Sequence, residues 1–368
     1  MNESILIGVA LAHRHGYGGH AWALLQYVLG FRDLGFDVTV VDRLEPGMTA
    51  DSRAALRYLD ELLAGEDVSY AVLGADAGLR RDDLLARARR SRLLLNVMGF
   101  VRDAELLDAV RHRVFLDIDP GFGQVWHEQG LADLFDGHDA FVTVGRNVGR
   151  RSCGVPMCDR DWVVTPHPVV LARCPVTPLG DAFTSVGSWR GPYGPLEHHG
   201  HALGLRVHEF RRFVDLPSRV DARFTVALEL DDADRADREL LGERGWDIAD
   251  PKDVAPSPAA YLRFVRSSLA EFTVAKGLYV TLNTGWLGDR TCCYLASGRP
   301  ALVQDTGLGA HYAVGEGLVT YTSLDEATAG ADSILADPTG HAAAARRLAE
   351  RELDSRRVLP RLLEEVAA

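Results

Sequence analysis

The sequence predicts two tandem, doubly wound α/β domains of Rossmann-like type, with a ligand cleft between them. Three observations carry this. Short apolar runs alternate with segments of helical periodicity from the first residues onward, a proline-rich stretch interrupts the alternation near the middle, and a second alternating series follows it. The chain has 368 residues, 47% hydrophobic and 25% charged, enough for two sizeable cores. That composition excludes a disordered, collagen-like or coiled-coil chain.

The first series opens with the Ile/Leu/Val run at 4–11, followed by Gly16-Tyr17-Gly18-Gly19. Residues 20–34 carry apolar positions at helical spacing, and 35–42 turn into a second strand. Further strands are expected at 70–73, 92–97, 114–118 and 140–144, with helices at 52–63, 81–89 and 103–112 between them. Residues 162–178 contain Pro166, Pro168, Pro175 and Pro178 and read as an interdomain connection. The second series runs through a strand at 183–186, a Gly/Pro-rich loop, a helix at 202–214, a strand at 224–228 and a helix at 259–269. The apolar segment 278–282, a helix at 289–296, strands at 300–303 and 318–321, and closing helices complete it. The expected division is a domain at 1–170, a second at 171–352, and a C-terminal helix at 353–368 that packs back on the first. Ligands of such folds bind at the carboxyl ends of the strands.

The formal net charge of −12 argues against a nucleic-acid binder that works by neutralising phosphates. Of the 40 basic residues only Lys252 and Lys276 are lysines, which singles out both. The early apolar run stops at His13-Arg14-His15, too short for a membrane span and without a basic leader. The five cysteines, Cys153, Cys158, Cys174, Cys292 and Cys293, are odd in number and sparse, which fits a reducing cytoplasm. No metal site is expected. Cys153 and Cys158 have no second cluster, and His198, His199 and His201 have no carboxylate at ligand spacing, so they read as a solvated loop.

Two segments carry a family resemblance. Gly18-Gly19-His20 opening a long helix, then Gly35-Phe36-Asp37-Val38 and the second strand, resembles the start of GT-B glycosyltransferases. Residues 283–303, with Gly288-Asp289-Arg290-Thr291 opening a helix that ends in Ala296-Ser297-Gly298-Arg299-Pro300, resemble the donor-sugar region of the same enzymes. The resemblance implies a glycosyltransferase, hexosyltransferase-like. It implies a nucleotide-diphosphate sugar as donor substrate, no tightly bound cofactor, and a small-molecule or glycan acceptor. Many members carry a glutamate where this chain has Cys293, so the ribose is held by another group, Glu271 or Glu316, or the nucleotide sits differently.

The chemistry stands without the family. A diphosphate suits a helix N-terminus with small residues at its entry, where free N–H groups and the helix dipole meet the charge. Gly288 permits close approach, Thr291 supplies a hydroxyl and Arg290 a guanidinium fork, while Asp289 fits an N-cap. The loop Gly187-Ser188-Trp189-Arg190 offers backbone and hydroxyl donors and a charge, with Trp189 or Tyr193 as a stacking face. Lys276, Asp305 and Glu316 complete the donor-side candidates. His13, His15 and His20, among Gly16, Gly18 and Gly19, form an acceptor-side loop. Its histidines suit a base near neutral pH, and His15 and His20 are the catalytic candidates. Asp119, from Asp117-Ile118-Asp119 after an apolar strand, is the other; its alternate neighbour Asp117 points to the opposite face and reads as a buried or helix-capping group.

Competing readings are a same-fold nucleotide-sugar epimerase, an inactive nucleotide-sugar-binding protein and a dinucleotide oxidoreductase. Gly16-Tyr17-Gly18-Gly19-His20 lacks the dinucleotide spacing, and Asp42 is the only cofactor-like acid. The expected partners are small molecules, with no nucleic acid and no transmembrane segment; a homodimer is compatible with the sequence.

Overall fold

A computed structural model describes residues 3–191 and 194–367. The first sheet contains β1 (Ser4–Gly8), β2 (Asp37–Arg43), β3 (Ser69–Leu73), β4 (Leu93–Val97), β5 (Arg113–Asp117), β6 (Ala140–Thr143) and β7 (Trp162–Val164). Its spatial order is β3-β2-β1-β4-β5-β6-β7, with all pairs parallel. β1 and β4 are buried along their whole length, as parallel strands covered on both faces must be.

The second domain repeats the plan. β8 (Ala182–Ser188), β11 (Arg223–Glu229), β12 (Trp246–Ala249), β13 (Ala270–Thr273), β14 (Ala301–Gln304) and β15 (Leu318–Tyr321) pair in parallel in the order β12-β11-β8-β13-β14-β15. A small antiparallel hairpin, β9 (Leu196–His198) with β10 (His201–Leu203), stands apart. In each large sheet the strand order reverses once, between β1 and β4 and between β8 and β13. Those two crevices are where such sheets accept ligands.

Two expectations are corrected. Residues 202–214 are not one helix, because His199 and Gly200 take positive φ and turn the chain into the hairpin, and only Arg206–Phe210 is α-helical. The apolar segment 278–282 falls largely in a short helix, Gly277–Thr281, and the strand before it, β13, has no counterpart in the sequence reading. β13 is masked in the sequence by Glu271, a charged residue in a wholly buried strand. Finally, the start of the 162–178 connection forms β7, so the crossing begins after it.

The domains face each other closely. Gly18 N donates to Ala255 O at 2.9 Å, and a Cβ on Gly18 would lie 2.2 Å from Ser257 O. The helix Ser355–Glu365 lies along the helix Gly18–Asp33, where Gly30 leaves room for Leu359, and His112 Nε2 meets Val366 O at 2.9 Å. Val169 N donates to Leu353 O (2.7 Å) and Ser355 N to Val169 O (2.9 Å), so the outgoing and returning connections are bonded to each other.

Candidate active site

The floor of the second crevice is Arg290. β8 and β13 pair only through Ala270–Phe183 and Glu271–Thr184 and then diverge. Arg290, from the first turn of the helix Asp289–Ala296, fills the gap: Nε donates to Glu271 Oε1 at 2.7 Å, Nη1 to Val186 O at 2.6 Å, and Nη2 to the Thr273 hydroxyl. Glu271 is 0% exposed, so this ion pair is internal, and burial raises its pKa against the pull of Arg290. Arg290 is thus a plug that carries charge to the crevice, and Glu271 is no free ribose ligand.

Above the plug sits Arg206, which the sequence reading passed over. The point where a Gly187 Cβ would stand is 2.8 Å from Arg206 Nη1 and 3.1 Å from Arg290 Nη1. Any side chain at 187 would displace one guanidinium. Arg206 donates to Ser188 O at 3.1 Å, its Nε has no hydrogen-bond partner, and among the described residues no carboxylate lies within ion-pair distance. Burial and the neighbouring Arg290 charge push its pKa down to about 10. A half-buried cation without a counter-charge, beside a second cation, has the chemistry to receive an anion.

The helix Asp289–Ala296 points its start at the same place. Its N-cap is Gly288, not Asp289, which is the first helical residue and caps nothing. Thr291 is buried beside Glu271 and does not face the cleft. Cys293 is likewise core, its thiol pKa raised by burial. The first amides of the helix have no intrahelical acceptor and are available to a ligand.

From the first domain, the loop after β5 reaches across. Asp119 Oδ1 accepts from Lys276 Nζ at 2.7 Å and from the Tyr279 hydroxyl, and Lys276 lies over the rings of Phe122 and Tyr279. Asp119 is therefore a tie between domains rather than a free base. Asp117 is buried, accepting from Gln124 (2.8 Å), Thr143 (2.8 Å) and Asp119 N (3.0 Å), with its pKa pushed up to about 6 by burial.

The loop after β1 is ordered by Asp42, whose Oδ2 accepts from Leu11 N (2.8 Å) and Ala12 N (2.7 Å). The only cofactor-like acid thus serves the backbone. His20, in the first turn of its helix, places Nε2 2.7 Å from Ala10 O. A carbonyl can only accept, so Nε2 carries the proton and Nδ1 keeps a lone pair. Burial depresses its pKa, opposed first by the bond to the Ala10 carbonyl and then by the fields of Asp289 and Asp119. His15 instead follows a turn packed on the helix Ser52–Leu63. His13 stacks on Phe100 with centroids 5.4 Å apart.

Several candidates go elsewhere. Trp189 is 0% exposed, packed on Phe210 with its indole N–H on Asp237 (2.8 Å), and offers no stacking face. Arg190 turns to Asp234, Nε to Oδ1 2.8 Å, and is spent there. Tyr193 lies outside the described residues. Asp305 Oδ1 accepts from Gly307 N (2.9 Å) and Leu308 N (3.0 Å) and shapes its own turn. Glu316 precedes β15 and so lies at the amino ends of the strands, opposite the cleft. Gly18 and Gly19 serve close packing against Ser257 and the Tyr261 ring rather than an acceptor. The histidine cluster also differs from expectation: Glu128 of the first domain supplies the carboxylate that the local sequence lacks.

Two facing doubly wound domains with a charged cleft define the GT-B architecture, and the comparison with solved structures gives this chain that fold. It is similar to Anabaena Alr3699/HepE solved in complex with UDP and glucose, at 11% identity and TM-score 0.60 over 100% of both chains. The same protein in complex with UDP-glucose matches at 11% identity and TM-score 0.60 over 99% of each chain. A TarM mutant from S. aureus in complex with Fondaparinux, alpha-GlcNAc-glycerol and UDP matches at 8% identity and TM-score 0.56 over 100% of each. No protein-family model and no curated protein matches the sequence.

Proposed function

We propose that the protein is a glycosyltransferase that moves a sugar from a nucleoside-diphosphate donor to a small-molecule or glycan acceptor. The observation that carries this is Arg206, a cation without a carboxylate partner, set beside Arg290 at the crevice between β8 and β13. A diphosphate supplies the missing counter-charge, with the Ser188 segment and the start of the helix Asp289–Ala296 as further donors. The UDP and UDP-glucose complexes of HepE, which shares the fold over its full length, support the donor class.

In this reading residues 1–170 form the acceptor side and 171–352 the donor side, while 353–368 return to the first domain. The acceptor oxygen attacks the anomeric carbon and its proton passes to His20 Nδ1. The bond from that carbon to the diphosphate oxygen breaks, and the electron pair leaves with the diphosphate against Arg206. Lys276 stands at the same rim, tied to Asp119. The substrates are small molecules and need no nucleic acid. Cytoplasmic residence fits the free cysteines, and among the described residues no helix is long and apolar enough to cross a membrane.

Calorimetric titration of the full chain with UDP, GDP and their sugars tests the reading. One nucleoside diphosphate should bind, and donor turnover should fall at least 100-fold in His20→Ala while binding persists. Absence of binding by any nucleoside diphosphate would overturn it.

A further inference from the structure

We propose that Glu128, His198 and His199 form a site for one divalent transition cation of the zinc class, which clasps the two domains at the rim of the cleft. His198 and His199 belong to the hairpin of the second domain, and Glu128 ends the helix Phe122–Glu128 of the first. His198 Nδ1 lies 3.2 Å from Glu128 Oε2, and His199 Nε2 lies 3.9 Å from the same oxygen. All three ligand atoms fall within 4.8 Å of one another. A tetrahedral ion about 2.1 Å from each ligand needs them about 3.4 Å apart, so small side-chain adjustments close the site.

The backbone explains why two consecutive histidines converge. In a strand, neighbouring side chains point to opposite faces. His199 instead sits at φ 48° in the hairpin turn, which swings its ring to within 4.0 Å, centroid to centroid, of His198. A left-handed conformation in a residue other than glycine is sustained only where the surroundings favour it. The ring of His198 is 4% exposed, while Glu128 and His199 are exposed and leave an entry path. Two imidazole nitrogens with one carboxylate oxygen are a borderline donor set, suited to zinc and poor for calcium or magnesium. A water completes the coordination.

Glu128 sits at the far end of the helix that begins beside the Asp119–Lys276 tie, so an ion here fixes that helix to the second domain at both ends. Equilibrium dialysis of the full chain against zinc chloride, followed by metal analysis, tests the proposal. One zinc per chain is expected, with a zinc-dependent rise in Tm. His199→Gly, which keeps the left-handed turn, and Glu128→Gln should each lower zinc affinity at least 10-fold and abolish the Tm rise. Circular dichroism and nucleotide titration should remain as in the parent. A parent chain that retains no zinc, or variants that retain it as tightly as the parent, would overturn the assignment whatever the outcome for nucleotides.

Discussion

Arg206 and Arg190 are both arginines near the same loop, yet among the described residues only Arg190 is paired with a carboxylate. Arg190 is neutralised by a buried aspartate, whereas Arg206 has only a carbonyl and a second cation beside it. Arg206→Ala is therefore expected to weaken nucleoside-diphosphate binding roughly 10- to 100-fold, the worth of one charge-assisted contact. Arg190→Ala should leave it unchanged, and parallel calorimetric titrations decide. His13 permits a second test. Burial and the charge of Arg14 push its pKa down to about 4, from an ordinary 6.5. The unfolded chain binds a proton there below pH 6.5 and the folded chain does not until about pH 4, so stability present above 6.5 is lost as pH falls through that window. His13→Phe keeps the stack on Phe100 and should flatten this loss by roughly 1 kcal/mol, discounted for half-exposure, as read by urea unfolding at pH 7 and pH 5. At this scale the sequence was partly legible. His20, Lys276, Gly187 and Ser188 stand out in the sequence because they lie at strand ends or helix starts. Arg206 could not, since it is one arginine in a chain that uses almost no lysine, and its importance lies in a missing partner. Trp189 misled for the reverse reason: Phe210 and Asp237, which bury it, come from other elements.

At the level of elements, the glycine-rich opening of the first long helix is a docking surface. A methyl group at residue 18 would meet backbone oxygens of Ser257 and Ala255, which cannot rotate away. Gly18→Ala should therefore cost about 2 kcal/mol and loosen the neighbouring Tyr17–Glu229 hydrogen bond, now 2.6 Å. Urea unfolding reads the first effect, and the Tyr17 hydroxyl, held up at about pH 12 chiefly by that bond, should titrate lower as the second. The same motif read from sequence as a ligand loop because glycines permit close approach without saying to what. β13 was hidden for a related reason, as a buried charge breaks the apolar pattern unless its partner, here Arg290, is already known. Most central strands were legible, because a strand covered on both faces is a continuous apolar run.

Across the whole molecule, cohesion between domains rests partly on buried charge. Asp119→Ala takes away the carboxylate facing Lys276 and Lys276→Met the cation facing Asp119, and each alone should cost about 3 kcal/mol. The double replacement should cost less than the sum of the two, because the ion pair is then lost only once. A double-mutant cycle by urea denaturation measures the coupling, and strict additivity would show that the pair contributes nothing to holding the cleft. That pairing was invisible to sequence, since 157 residues separate its members.

The chain crosses between the domains twice, and Val169 is hydrogen-bonded to Leu353 and Ser355 where the two passages meet. Two tethers fastened side by side behave mechanically as one axle. They resist twist of one lobe over the other and leave a single swing as the soft direction. Opening of the cleft should then follow one arc that carries the β5 loop away from Lys276 while the lobes keep their azimuth, so each closure returns the opposing side chains to the same register.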